Sequence, residues 1–217
     1  MEFTLHAHRD ADLIFSGRES LRYEWFEVCD AISAITDEDI IDEFEGNPRK
    51  AKSISQAINR LIKDELVERG WHPETFIFAD KEYAEQEKGV WRLDFAKRYL
   101  CIEVAFNHRS DISWNLLKPT LASELNHVRK AVQTEGGIII AATEELKAAG
   151  GFDNAVGTFE DYVQYLKPLR QILTAPLMIV GLEAPRTFRI SLEDMGYKKV
   201  GHVVRYANPY RGSIRGY

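Results

Sequence analysis

"WRLDFAKRYLCIEVAFNHR", residues Trp91 to Arg109, sets Asp94 and Glu103 inside two short apolar runs. Alternation of period two carries through the second run. Ile102, Val104 and Phe106 fall on one face; Cys101, Glu103 and Ala105 fall on the other. A turn centred on Arg98 and Tyr99 then places Asp94 directly across from Glu103, so two carboxylates share one face of a hairpin. Facing carboxylates repel and cost stability unless something positive lies between them. A divalent cation does this, and hard oxygen donors favour magnesium over zinc. Magnesium held by two carboxylates and a substrate phosphate polarises a phosphoryl oxygen and lowers the pKa of an attacking water, which suits phosphodiester hydrolysis. The same spacing also admits a plainer arrangement, in which each carboxylate pairs with a neighbouring base such as Arg92 or Lys97 on a solvated face.

Working outward, the first third of the chain carries helical spacing. Leu21, Trp25, Val28, Ile32 and Ile35 form one stripe in "ESLRYEWFEVCDAISAI", and a short acidic helix follows until Gly46 and Pro48 break it. Ser53 and Gln56 have capping-box spacing at the head of a helix whose apolar face is Ile54, Ile58, Leu61, Ile62 and Leu66, with Gly70 as its stop. Period-two alternation begins at "TFIFAD". After the hairpin, "SWNLLKPTLASELNHVRKAVQ" predicts a long helix with a stripe at Leu117, Leu121, Leu125, Val128 and Val132 and Pro119 in its first turn. "GGIIIAA" reads as a buried strand, "TEELKAAGG" as a short helix, "TFEDYVQYLKPLRQIL" as a helix capped by Thr158, and "PLMIVGL" as a last central strand. The fold class is therefore α/β, a mixed central β-sheet flanked by helices. One domain over residues 1–217 is expected, with a core roughly over 53–185, a helical N-terminal part at 17–46 and a basic C-terminal part at 186–217.

Composition is that of a soluble globular protein, with 45% hydrophobic and 29% charged residues. The longest apolar runs are too short to cross a bilayer, and the N-terminus lacks the layout of a secretory signal. Cys29 and Cys101 make no disulfide framework and read as reduced thiols of a cytoplasmic protein. A net charge of −6 argues against nucleic acid only as an average, because the last twenty residues hold two lysines and three arginines and no acid. That basic stretch is either a phosphate-facing surface or a solvated tail.

"LDFAKRYLCIEVAF" resembles the metal-binding core of the PD-(D/E)XK nuclease superfamily, and more closely the BglII/BstYI-like type II restriction endonucleases. The resemblance extends over "QAINRLIKDELVERGW" and "PLMIVGLEAP", roughly Ser55 to Pro185, through an ordered series of individually weak motifs. It implies Asp94 and Glu103 as Mg2+ ligands, with the Val104 carbonyl a third, and a water nucleophile. It also implies a homodimer, cleavage of double-stranded DNA at a short palindromic site, and a bacterial or archaeal cytoplasm. The sequence departs from the family at Ala105, where lysine, glutamine or glutamate orients or deprotonates the water. Three readings follow: another side chain has taken the role, the enzyme works slowly on metal alone, or the chain binds DNA without cutting. A less specific repair or defence nuclease is a further alternative. His108, Lys118 and His127 are the candidate replacements in sequence, Lys118 near the opening of its helix and His127 on a helix face.

In relatives the stretch after the catalytic strand enters the major groove, which makes Asn107, His108, Arg109 and Ser110 the base-reading candidates. Asparagine suits adenine, arginine suits guanine and serine suits either. Asn59, on the polar side of its helix, faces either the active site or solvent. Arg49, Lys50, Lys52, Arg205, Arg211 and Arg215 are phosphate-contact candidates, which position without specifying sequence. His6 and His8 have no partner at a zinc-site spacing, "EGGIII" lacks the lysine of a phosphate loop, and Trp25, Trp71 and Trp91 lie within apolar stripes as core residues.

Overall fold

The structure, a computed structural model, describes residues 1–47, 51–84, 90–124, 127–196 and 199–207. The chain opens with β1 (Phe3–His8), then α1 (Ala11–Gly17), α2 (Glu19–Ala34), α3 (Asp37–Gly46) and α4 (Ser55–Glu68). Next come β2 (His72–Phe76), the single turn α5 (Lys81–Ala84), β3 (Arg92–Ala96), β4 (Leu100–Val104) and α6 (Ile112–Ser123). β5 (Gly136–Ala142), α7 (Glu144–Ala149), α8 (Phe159–Leu169), β6 (Leu177–Leu182), β7 (Phe188–Asp194) and β8 (Lys199–Arg205) complete it. Six strands form a mixed sheet in the order β1-β6-β5-β4-β3-β2, with β4, β5 and β6 parallel and the outer pairings antiparallel. β7 and β8 pair separately as a two-stranded sheet. No described helix is long and apolar enough to cross a membrane.

Apolar periodicity explains the layers. Every residue of β5 and β6 is buried, as strands covered on both faces require. On one face Leu100, Ile102, Ile138, Ile140, Met178 and Val180 meet the α2 stripe of Leu21, Trp25, Val28 and Ile32. On the other, Ile139, Ala141 and Ile179 meet Ile112 and Leu116 of α6 and Tyr162 and Leu166 of α8.

Four local expectations are corrected. β1 was not foreseen; "FTLHAH" carries a short alternation, and it adds to the sheet edge along β6. β2 starts earlier than "TFIFAD" and ends at Phe76. The Ser53 hydroxyl meets the Ser55 hydroxyl at 2.8 Å and caps nothing, because α4 begins two residues later with Ile54 at its N-cap. The long helix expected through Gln133 stops at Ser123, which leaves Pro119 inside α6. Beyond it, Ala79 N–H donates to the Arg129 carbonyl at 2.8 Å and Ala131 N–H to the Ile77 carbonyl at 3.0 Å. Strand-like pairing lets Val128 and Val132 pack on the cluster around Ile77 and Phe78, and that outweighs local helix propensity. The Thr158 cap of α8 is present, in a reciprocal box with Asp161.

Candidate active site

The β3–β4 turn closes with Lys97 N–H donating to the Leu100 carbonyl at 3.0 Å. It is held from outside by Glu24 of α2, whose buried carboxylate accepts the N–H groups of Arg98, Tyr99 and Leu100 at 3.1, 3.0 and 2.8 Å. Burial pushes the Glu24 carboxyl up and these three bonds pull it back. Phe95 pairs with Ile102 and Ala96 with Cys101, so the turn is centred between Arg98 and Tyr99 and Asp94 comes opposite Glu103. Pairing stops there. The Val104 N–H donates instead to Asp94 Oδ2 at 2.7 Å, and the two strands part around the carboxylate.

Neither base considered from sequence neutralises this pair. Lys97 Nζ donates to Glu27 at 2.7 Å and to the Arg69 carbonyl at 2.7 Å. Arg92 lies 3.7 Å from Glu74 and stacks over the Phe76 ring at 4.4 Å. The cation on the site comes from α6, where Lys118 Nζ forms an ion pair with Glu103 Oε2. The other oxygen, Glu103 Oε1, is buried with no hydrogen-bond partner.

Glu103 is 2% exposed, and its carboxyl is pushed up to about 8, first by burial and then by the Asp94 charge, with Lys118 opposing. Asp94 is raised by burial too, against the Val104 bond and the Lys118 charge, with Glu74 adding to the rise. Glu74 is a neighbour that sequence reading missed. Pro73 pairs with Phe95 and Thr75 with Leu93, which sets Glu74 abreast of Asp94, with a left-handed backbone at φ 52°. It precedes the alternating run and carries no motif, so only the strand register reveals it.

A cleft of about 510 Å³ opens over Asp94 and Val104, walled by Glu74 and by Gln56, Asn59 and Lys63 of α4. Asn59 thus shares a cleft with Asp94. Among the described residues, no three His, Cys, Asp or Glu side chains converge to hold a metal. The donors present still fit a hard cation: two carboxylates, one with an unpartnered buried oxygen, with phosphate and water to fill the remaining positions.

Ala105 is 1% exposed and packs with Ile112, Leu116 and Ile139. Asn107, His108, Arg109 and Ser110 lie together, exposed, just past β4. The Asn107 side-chain oxygen Oδ1 accepts from Asn115 Nδ2 at 3.0 Å, and Arg109 Nε donates to Asp161 at 2.9 Å. His127 is exposed at φ 58° in the irregular segment after α6, not on a helix face. Lys52 meets Asp153 at 3.1 Å, and Arg205 forks onto Glu38, so each of these phosphate candidates already has an acid partner. Arg49, Lys50, Arg211 and Arg215 lie outside the described residues.

Residues 3–182 match the family described as "Restriction endonuclease BglII/BglIII". Among solved structures, the chain is similar to the restriction endonuclease BglII complexed with a DNA 16-mer, at 18% identity and a TM-score of 0.63, covering 95% of this chain and 100% of that one. Free BglII is similar at 18% identity and a TM-score of 0.51 over the same shares. No curated protein matches.

Proposed function

The chain belongs to the BglII/BglIII restriction endonuclease family of type II site-specific deoxyribonucleases, and on that premise we propose that it hydrolyses double-stranded DNA at a short palindrome with Mg2+. The observation that carries this reading is Asp94 in the wall of the cleft with Glu103 buried opposite it, one Glu103 oxygen having no hydrogen-bond partner. Asp94, Glu103 and the Val104 carbonyl would hold the ion, which when bound polarises a phosphoryl oxygen and activates water. Hydrolysis adds a water oxygen to phosphorus and breaks the bond to a sugar oxygen, which takes up a proton. The chain's own part is positioning. The Val104 N–H fixes the Asp94 carboxylate, and Lys118 holds one oxygen of Glu103.

A palindromic site calls for a two-fold protein, hence a homodimer. To Asn107, His108, Arg109 and Ser110, exposed just past β4, we assign base readout, which their donors and acceptors suit. Ala105 supports a second reading, DNA binding without cleavage. Plasmid cleavage with magnesium decides between them, with Asp94→Ala as the blank. Discrete fragments from the unaltered chain alone establish a sequence-specific nuclease, whereas a smear indicates an unspecific one. Magnesium without DNA should also raise the thermal midpoint of the unaltered chain and not of the blank.

A further inference from the structure

We propose that Lys118 supplies from α6 the positive hydrogen-bond donor that position 105 lacks, acting as a positioning residue for Glu103. This rests on the reading of Asp94 and Glu103 as the metal-binding pair. The side chain at 105 lies two residues from Glu103 on the same sheet face, where Ala105 offers only a methyl group to an apolar cluster. α6 covers that face, and Lys118 Nζ reaches Glu103 from it.

Its approach is close because the packing removes what would stand between. A Cβ on Gly137 of β5 would sit 2.3 Å from Pro119 Cβ, so a glycine opposite a proline lets the helix lie against the sheet beside Lys118. Burying lysine is expensive, and Lys118 is only 9% exposed. A methionine or leucine would fill the same space without that cost, so mere packing does not account for a charge here. The ammonium fixes one Glu103 oxygen, and the second is buried without a hydrogen-bond partner. Its charge also acts on Asp94. The role asks for no proton transfer: the cation stays a cation, orients the carboxylate and balances charge as the phosphate reacts.

The test uses the full chain, Lys118→Met, and Lys118→Met combined with Ala105→Lys. The readouts are thermal midpoint without metal, affinity for Mg2+ alone by calorimetry, and single-turnover plasmid cleavage at saturating Mg2+. Lys118→Met should bind magnesium several-fold more tightly, since a competing cation is gone, yet cleave about 100-fold more slowly. Adding Ala105→Lys should restore at least about tenfold of that rate. Undiminished cleavage by Lys118→Met overturns the proposal and leaves the nuclease reading intact. A parallel fall in midpoint, magnesium affinity and rate, unrepaired by Ala105→Lys, also overturns it, as the pattern of a purely structural ion pair. Should Lys118→Met not fold, the double variant decides: cleavage supports the proposal, and a folded, magnesium-binding but inactive double variant overturns it. An unaltered chain that neither binds magnesium nor cuts overturns the metal-site reading itself.

Discussion

The Asp94 carboxylate accepts the Val104 N–H at 2.7 Å. Continuing the β3–β4 register would give that N–H to the Leu93 carbonyl, so a side chain has displaced backbone from the ladder. One residue thereby opens the two strands and fixes the orientation of the acid between them.

Asp94→Asn keeps an oxygen for the Val104 N–H and removes a charge that Glu103 and Glu74 oppose. Its thermal midpoint without metal should match or exceed that of the unaltered chain, while magnesium-induced stabilisation and cleavage vanish. Asp94→Ala should lose about 1–3 kcal/mol as well, because the N–H is left unpaired. Magnesium stabilisation that survives in Asp94→Asn would remove this residue from the metal site.

Glu24 lies on α2, outside the cleft, yet it ties down the turn that sets the Asp94–Glu103 register. Glu24→Ala strands three N–H groups, and urea denaturation should show a loss of about 3–5 kcal/mol. Glu24→Gln, with one acceptor oxygen, should fall between. A Glu24→Ala chain as stable as the parent would mean that the turn holds itself.

His8 offers a pH dependence with a definite sign. Its Nε2 lies 2.9 Å from the Leu173 carbonyl, and burial lowers its pKa below 6.5, with the charges of Arg9, Arg170 and His6 pushing the same way and the carbonyl opposing. The unfolded chain therefore binds the proton more readily than the native one. The His8 contribution is fully present above pH 6.5 and is lost as pH falls below it. Glu103, raised to about 8, acts with the opposite sign in this range, so the His8 effect is read as a difference: from about pH 7.5 down to about pH 5.5 the unaltered chain should lose urea midpoint relative to His8→Gln. An identical slope in both chains would assign it to other groups.

Arg109 pairs with Asp161 at an exposed position, so Arg109→Ala should change stability by less than about 1 kcal/mol. If the residue reads a base, affinity for the cognate duplex in calcium should drop at least about tenfold, with random duplex affected far less. Equal losses on both duplexes would make Arg109 a phosphate contact instead.

The sheet centre and the acidic pair were legible because each rests on local periodicity. All-apolar runs marked β5 and β6, and the alternation in "YLCIEVAF" fixed which side chains share a face with Glu103. What stayed hidden depends on tertiary geometry. Lys118 looked like a residue near a helix start because Pro119 suggests a first turn; once α6 begins at Ile112, the same lysine sits mid-helix against the sheet. Glu74 needed the β2–β3 register, and the end of α6 needed the pairing of residues 129–131 with 77–79. β1 was overlooked because a six-residue edge strand with half-polar alternation carries little signal of its own.

β2, at one margin of the six-stranded sheet, carries Pro73 and then the left-handed kink at Glu74. A proline lacks an N–H to offer, a kink breaks the straight row of main-chain groups, and a charge repels an incoming strand of like sign. This margin is therefore closed to strand addition. In the homodimer proposed above the two sheets would not fuse across β2, and the same blunted edge guards the cleft beside it against runaway β-stacking at high concentration.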